Sequence, residues 1–162
     1  MMEDSVARTV GVSRGQPLNR SMLLAIVVGG GIAGTVDIVQ ACMQEGWDIP
    51  LYVAAGLLGR KAIQGGAGTW LVGMLLHFFI AFTAATVYYA ASRRLDFLAV
   101  HPVVCGLCFG AAVFLVMNLV VLPLSALHAT GPLTLHYLVF GIVQKMVVVG
   151  LPIAFSVRRF AK

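Results

Sequence analysis

Apolar positions along the chain fall into four long, almost uninterrupted runs, about Met22–Cys42, Trp70–Ala91, Val103–Leu124 and Leu133–Val157. Each reaches the ~20 residues that a bilayer core requires. The runs are continuous rather than alternating, so the predicted spans are helices, which satisfy their own backbone groups in lipid. Between the first two runs, Gln44–Thr69 carries Glu45, Trp47 and Asp48, then IPLYVAAGLLG, then Arg60-Lys61. That apolar piece is too short to cross a bilayer. It predicts an interfacial or re-entrant segment, with Trp47, Tyr52 and Trp70 at headgroup level. Met1–Ser21 is polar and reads as a flexible cytoplasmic tail, and residues 159–162 read as a shorter one. The first apolar run is long for a signal-peptide core, contains Asp37 and lacks a small-x-small cleavage site. The expected fold is an all-α membrane protein, a four-transmembrane-helix bundle over residues 22–158 with the extra segment between its first two spans.

Composition narrows the class further. Of 162 residues, 60% are hydrophobic and 10% charged, against roughly 25% charged in a soluble domain. The mean hydropathy is +0.96. The net charge of +5 is spread in short clusters between apolar blocks, so it does not form the basic stripe of a nucleic-acid binder. Its distribution instead orients the spans. Arg8, Arg14, Arg20, Arg93, Arg94, Arg158, Arg159 and Lys162 fall on one side, and only Arg60 and Lys61 on the other. By the positive-inside bias both termini are cytoplasmic. The expected partner is the lipid bilayer, with a second copy or another membrane protein as a candidate for the glycine-rich faces. No cofactor is expected.

One stretch invites a different reading. Gly29-x-Gly31-x-x-Gly34 after an apolar run has the form of a dinucleotide-binding turn. That fingerprint needs a preceding strand and an acidic residue ~20 positions on. Asp48 comes too early, no acidic residue lies between it and Asp96, and four spans leave no room for the domain. Helix packing explains the glycines better. Gly30, Ala33, Gly34, Asp37 and Ala41 share one helical face, where small residues let a neighbour approach closely. Gly106 and Gly110 are candidates for the same role in the third span.

The candidate chemistry is a set of polar side chains inside apolar runs. Asp37, His77, Asn118 and His136 each lie in the outer half of a different span, and Lys145 lies near the middle of the fourth. A carboxylate within a span costs ~2.5–3.5 kcal/mol to insert, so it normally faces the helix contacts and has a role. In a ligand or ion pocket, Asp37 would carry the charge, His77 and Asn118 would flank it with hydrogen-bonding groups, and Lys145 would be the countercharge. His136 is about 180° around the helix from Lys145, at ~100° per residue, so the two do not face one pocket on a straight helix. The competing reading makes an Asp37–Lys145 bridge purely structural in an accessory subunit. A third uses Cys105-Gly-Leu-Cys108 as a membrane thiol oxidoreductase. Against it, charge bias puts that pair on the reducing side, and Cys42 lies at the opposite end of its span. No His-x-x-x-His or similar metal spacing occurs, and Ser125 near His128 has no acid to complete a triad. Pro123 and Pro152 predict kinks in their spans.

The second and fourth spans share a Leu-His-aromatic stretch (Leu76–Phe82 and Leu135–Gly141) and both end in Arg-Arg. A duplicated hairpin would leave this pattern, as would chance likeness between apolar runs. At GLCFGAAVFLVMNLVVLPLSA (Gly106–Ala126), with GIAGTVDI in the first span, LHFFIA in the second and GLPIA before Arg-Arg in the last, the chain resembles a group of small uncharacterised four-span bacterial inner-membrane proteins. The resemblance implies the architecture and a bacterial inner-membrane location. It assigns no residue a role.

Overall fold

The protein is described by a computed structural model over residues 20–128 and 134–160. Residues 1–19 of the expected Met1–Ser21 tail, residues 129–133 and residues 161–162 lie outside the described residues, while Arg20 and Ser21 belong to the first helix. Among the described residues six helices follow in order: α1 (Arg20–Glu45), α2 (Ile49–Leu58), α3 (Ala67–Ser92), α4 (Phe97–Val100), α5 (Pro102–Leu124) and α6 (Leu135–Phe160). A 3-10 turn, Arg60–Gln64, joins α2 to α3, and there is no strand among the described residues. Four helices, α1, α3, α5 and α6, are long and apolar enough to cross a membrane, so the chain has the make-up of a multi-pass membrane protein. They coincide with the four apolar runs, extended at several ends by about a turn. At 26 residues, α1 spans about 39 Å, more than the ~30 Å hydrocarbon core.

Local chemistry sets the helix ends. Gly46, at φ 104°, turns the chain between α1 and α2, in a region that glycine enters without a Cβ penalty. Pro50 sits in the first turn of α2, where a missing N–H costs nothing. Gly59, at φ 83°, ends α2. The Thr134 hydroxyl caps α6 by accepting the Tyr137 N–H at 3.4 Å. The Trp70 indole donates to the Trp47 carbonyl at 2.9 Å, tying the start of α3 to the α1–α2 turn.

Small residues decide which helices touch. α1 packs between α3 and the C-terminal half of α6. A Cβ at Gly29 would stand 3.0 Å from Ser156 Cβ and 3.3 Å from Ile153 Cα of α6. Gly30 meets Phe82, and Gly34 meets Ala81 and Phe78, all of α3. α1 thus has two glycine faces about 100° apart rather than one. Between α5 and α6 the contact is backbone on backbone: Gly106 lies against Gly150, and Gly110 against Lys145 and Met146. Gly73 of α3 likewise abuts the Pro50 backbone of α2.

Both α5 and α6 contain one π-helical turn, Met117–Val121 and Met146–Gly150. Each lies just upstream of a proline, Pro123 or Pro152. A helical proline has no N–H for the carbonyl four residues back and its ring presses against that carbonyl. Widening the preceding turn shifts the bonding: the Leu122 N–H reaches the Met117 carbonyl, five residues back. The disruption expected at the prolines therefore takes the form of π turns beside them.

Near α4 the helices form a close-packed core. Ala25, Ile26 and Ala33 of α1 meet Ile153, Ala154 and Val157 of α6, with Tyr88 of α3 and Leu98 of α4 in the same cluster. Tyr88, Ile153 and Val157 are among the most deeply buried side chains. The surface of the long helices is apolar, with Leu75, Phe79, Val104, Leu119 and Val139 exposed, as suits a surface facing lipid tails.

These contacts separate the glycines by role. Gly31 has open space where a Cβ would stand, so Gly31→Ala should be neutral or stabilise α1 by up to ~1 kcal/mol. Gly110→Ala and Gly150→Ala must part α5 from α6, at a cost of about 1–3 kcal/mol. Denaturant titration of the helix signal in mild detergent would check the contrast; equal stabilities for all three variants would contradict it.

Candidate functional site

The α2 end of the helices is not close-packed. Near α4, the Tyr88 and Phe109 rings meet edge-on at 5.0 Å, which wedges α3 and α5 apart. Toward α2, the facing positions are Ile80, Ala81 and Ala84 on α3 and Val113 and Met117 on α5. The alanines are too short to close the gap. At the far side α2 is held in place by Pro50 against Gly73 and by the Ala126 N–H donating to the Gly56 carbonyl at 2.8 Å. A cavity of about 450 Å³ remains, open along part of its boundary and lined by parts of α1, α2, α3, α5 and α6 and the turn after α5.

Asp37 and Lys145 line this cavity as an ion pair between the Lys145 ammonium and Asp37 Oδ1. Asp37 is buried at 8% exposure because α1 runs between two neighbours there. Lys145 is the last residue before the α6 π turn, and its backbone is pinned by Gly110. The pairing follows from cost: an isolated buried charge is far more expensive than one with a partner and hydrogen bonds.

His77 enters from α3, with Nε2 2.9 Å from the Gly34 carbonyl on α1. A carbonyl only accepts, so Nε2 carries the proton and donates, and in the neutral ring Nδ1 is the acceptor. This contact lies one helical turn from Asp37. Sequence reasoning missed three further polar groups on the cavity, Glu45, Tyr52 and Ser125. The signal for Glu45 was present: Asp37, Ala41 and Glu45 recur at spacings of four along one face. Tyr52 and Ser125 come together only because α2 folds against the end of α5, which no helical period records.

Two expected members stand elsewhere. Asn118 does not line the cavity. Its Nδ2 donates to the Phe114 carbonyl at 2.9 Å, and its Oδ1 accepts from the Tyr137 hydroxyl at 3.4 Å. Its neighbour Met117 faces the cavity; one residue on, ~100° of rotation directs Asn118 toward α6. His136 is exposed and stacks on Phe140, with centroids 6.1 Å apart and planes 3° apart. Both are corrections to a pocket drawing one polar residue from each span at equal depth. Depth was counted along the chain, whereas facing depends on helical phase, which here includes a π turn.

Cys42, Cys105 and Cys108 are all free. Cys42 is buried, Cys105 half-buried with its thiol 3.7 Å from the Phe97 carbonyl, and Cys108 exposed. The latter two border a separate cavity of about 280 Å³ near α4, shared with Tyr88, Leu98 and Phe109. Among the described residues, no group of three or more His, Cys, Asp or Glu is placed to hold a metal ion.

Replacing one partner of the ion pair leaves the other charge unpaired. Breaking a fully buried pair costs roughly 3–5 kcal/mol. With the Lys145 side chain 25% exposed, Asp37→Asn should cost the lower part of that range or less, about 1–3 kcal/mol. Adding Lys145→Met should recover most of it. Denaturant titration of the single and double variants is the check; additive losses would mean that the two charges do not interact.

No protein family, curated protein or solved structure matches the chain.

Proposed function

We propose that the protein is a multi-pass inner-membrane protein that binds a small, mostly apolar solute in the cavity at the α2 end, with the solute's polar end at Asp37 and Lys145. The observation that carries the reading is an ion pair placed on the wall of an apolar cavity rather than inside a dry helix contact. A polar group inside the membrane is kept where it faces a partner or a cavity. A mostly apolar enclosure with a few convergent polar groups is the usual form of a small-molecule site. His77 supplies a fixed hydrogen-bonding group beside the pair, while Tyr52 and Ser125 supply hydroxyls near α2. The Lys/Arg bias, eight residues against two, supports placing both termini in the cytoplasm and the cavity in the outer half. On that orientation, α2 and the 3-10 turn form an interfacial segment roofing the site, which suits exposed Trp47 and Tyr52.

The same pair joins α1 to α6, and this favours a second reading in which it serves assembly alone. Filling the void separates the two. Ala84→Phe adds a ring at the cavity wall while keeping both members of the ion pair. In zwitterionic lipid nanodiscs, wild type should bind 4-phenylbutanol saturably. Ala84→Phe should lower that affinity at least tenfold while keeping its helical content. Binding at unchanged affinity in a folded Ala84→Phe protein would rule out the cavity as the site.

A further inference from the structure

We propose that the solute is a lipophilic monovalent cation, an apolar body carrying one amine or ammonium group, which reaches the cavity from the bilayer between α3 and α5. The inference rests on the cavity's being a binding site and adds the sign of the ligand's charge and its route.

The charge follows from the groups on the wall. Asp37 and Glu45 bear carboxylates, and Lys145 bears the one ammonium among the cavity-lining residues. Lys145 is committed to Asp37, and among the described residues no cation lies within 4 Å of Glu45. His77 donates Nε2–H to Gly34, so its neutral ring offers an acceptor. With the pair neutralised, the cavity keeps one negative charge. Glu45 is exposed at the rim, and the apolar walls next to it carry its field into the cavity with less screening than water alone would give. A cation is attracted, whereas an anion is repelled by Glu45 and must compete with Asp37 for Lys145. Tyr52, also on the wall, brings an aromatic ring, a group that attracts cations to its face.

The route follows from what borders the cavity. Its membrane-surface end is roofed by α2, fixed through Gly56 to Ala126. Toward α4, one turn beyond Ala84 and Val113, the Tyr88 and Phe109 rings meet across α3 and α5. Along the side, α3 and α5 both line the cavity yet make no extended contact with each other. The edges of that seam, Ile80 and Ala84 facing Val113, Met117 and Val121, are all apolar. A seam of this kind admits a molecule already dissolved in lipid.

A matched series tests the proposal: 4-phenylbutylammonium, neutral 4-phenylbutanol and anionic 4-phenylbutyrate, each titrated against the protein in zwitterionic nanodiscs with empty discs subtracted. The amine should bind at least tenfold more tightly than the alcohol, and the carboxylate should bind least. Glu45→Gln, an exposed position where folding is not at stake, should reduce the amine's advantage over the alcohol severalfold. On the route, Met117→Trp, at the edge of the seam, should slow amine association at least fivefold in stopped-flow mixing, more than it changes the equilibrium affinity. If the carboxylate or the alcohol binds as tightly as the amine, the cation assignment falls while the cavity remains a binding site. If no member binds saturably, both fall. An unchanged association rate in Met117→Trp overturns the route.

Discussion

Close backbone approach at small residues is the constraint on which the rest of this structure depends. In lipid, helices gain no hydrophobic driving force from meeting, so contact relies on packing and hydrogen bonds. Gly106 and Gly110 let α5 lie directly on the α6 backbone from Lys145 to Gly150. Gly29, Gly30 and Gly34 let α1 settle between α6 and α3. These contacts leave little freedom to the helix rotations, and so they decide which polar side chains meet. Asp37 reaches Lys145 because α1 is drawn in on both sides and α6 is pinned just before its π turn.

The same packing explains why the two ends differ. Near α4 the Tyr88 and Phe109 rings meet between α3 and α5, leaving only a smaller cavity of about 280 Å³ beside them. Toward α2 the facing residues are aliphatic, Ala81, Ala84 and Val113 with the longer Ile80 and Met117, while α2 and the turn after α5 keep the helices from closing. The cleft left there is walled by an ion pair, a histidine and a carboxylate, the groups on which the proposed binding site rests. The π turns next to Pro123 and Pro152 border it on two helices, and such turns often accompany function.

Much of the architecture was legible in the sequence. The four spans follow from run length alone, and the segment between the first two was too short to cross. The glycine faces at Gly30, Gly34, Gly106 and Gly110 were readable as small-residue spacing. The candidate site was legible only in part. Asp37, Lys145 and His77 stood out because each is costly in lipid, and cost can be read from residue type. Asn118 and His136 stood out for the same reason but face elsewhere, since facing depends on helix phase and on which neighbours pack. Glu45 was overlooked because it sits at a span end, where a charge is unremarkable by composition. Only the fold of α2 over the cavity brings Tyr52 and Ser125 to it.

On the proposed function, the cavity beside Asp37 and Lys145 is where a bilayer-dissolved ligand stops. Photo-crosslinking tests it most directly, using an arylalkyl ammonium that bears a diazirine, with the adducts mapped by mass spectrometry. The account predicts adducts on the wall at Ala84, Val113 and Met117, displaced by excess unlabelled amine. Adducts scattered over the lipid-facing residues Leu75, Phe79 and Leu119, with no displacement, would contradict it.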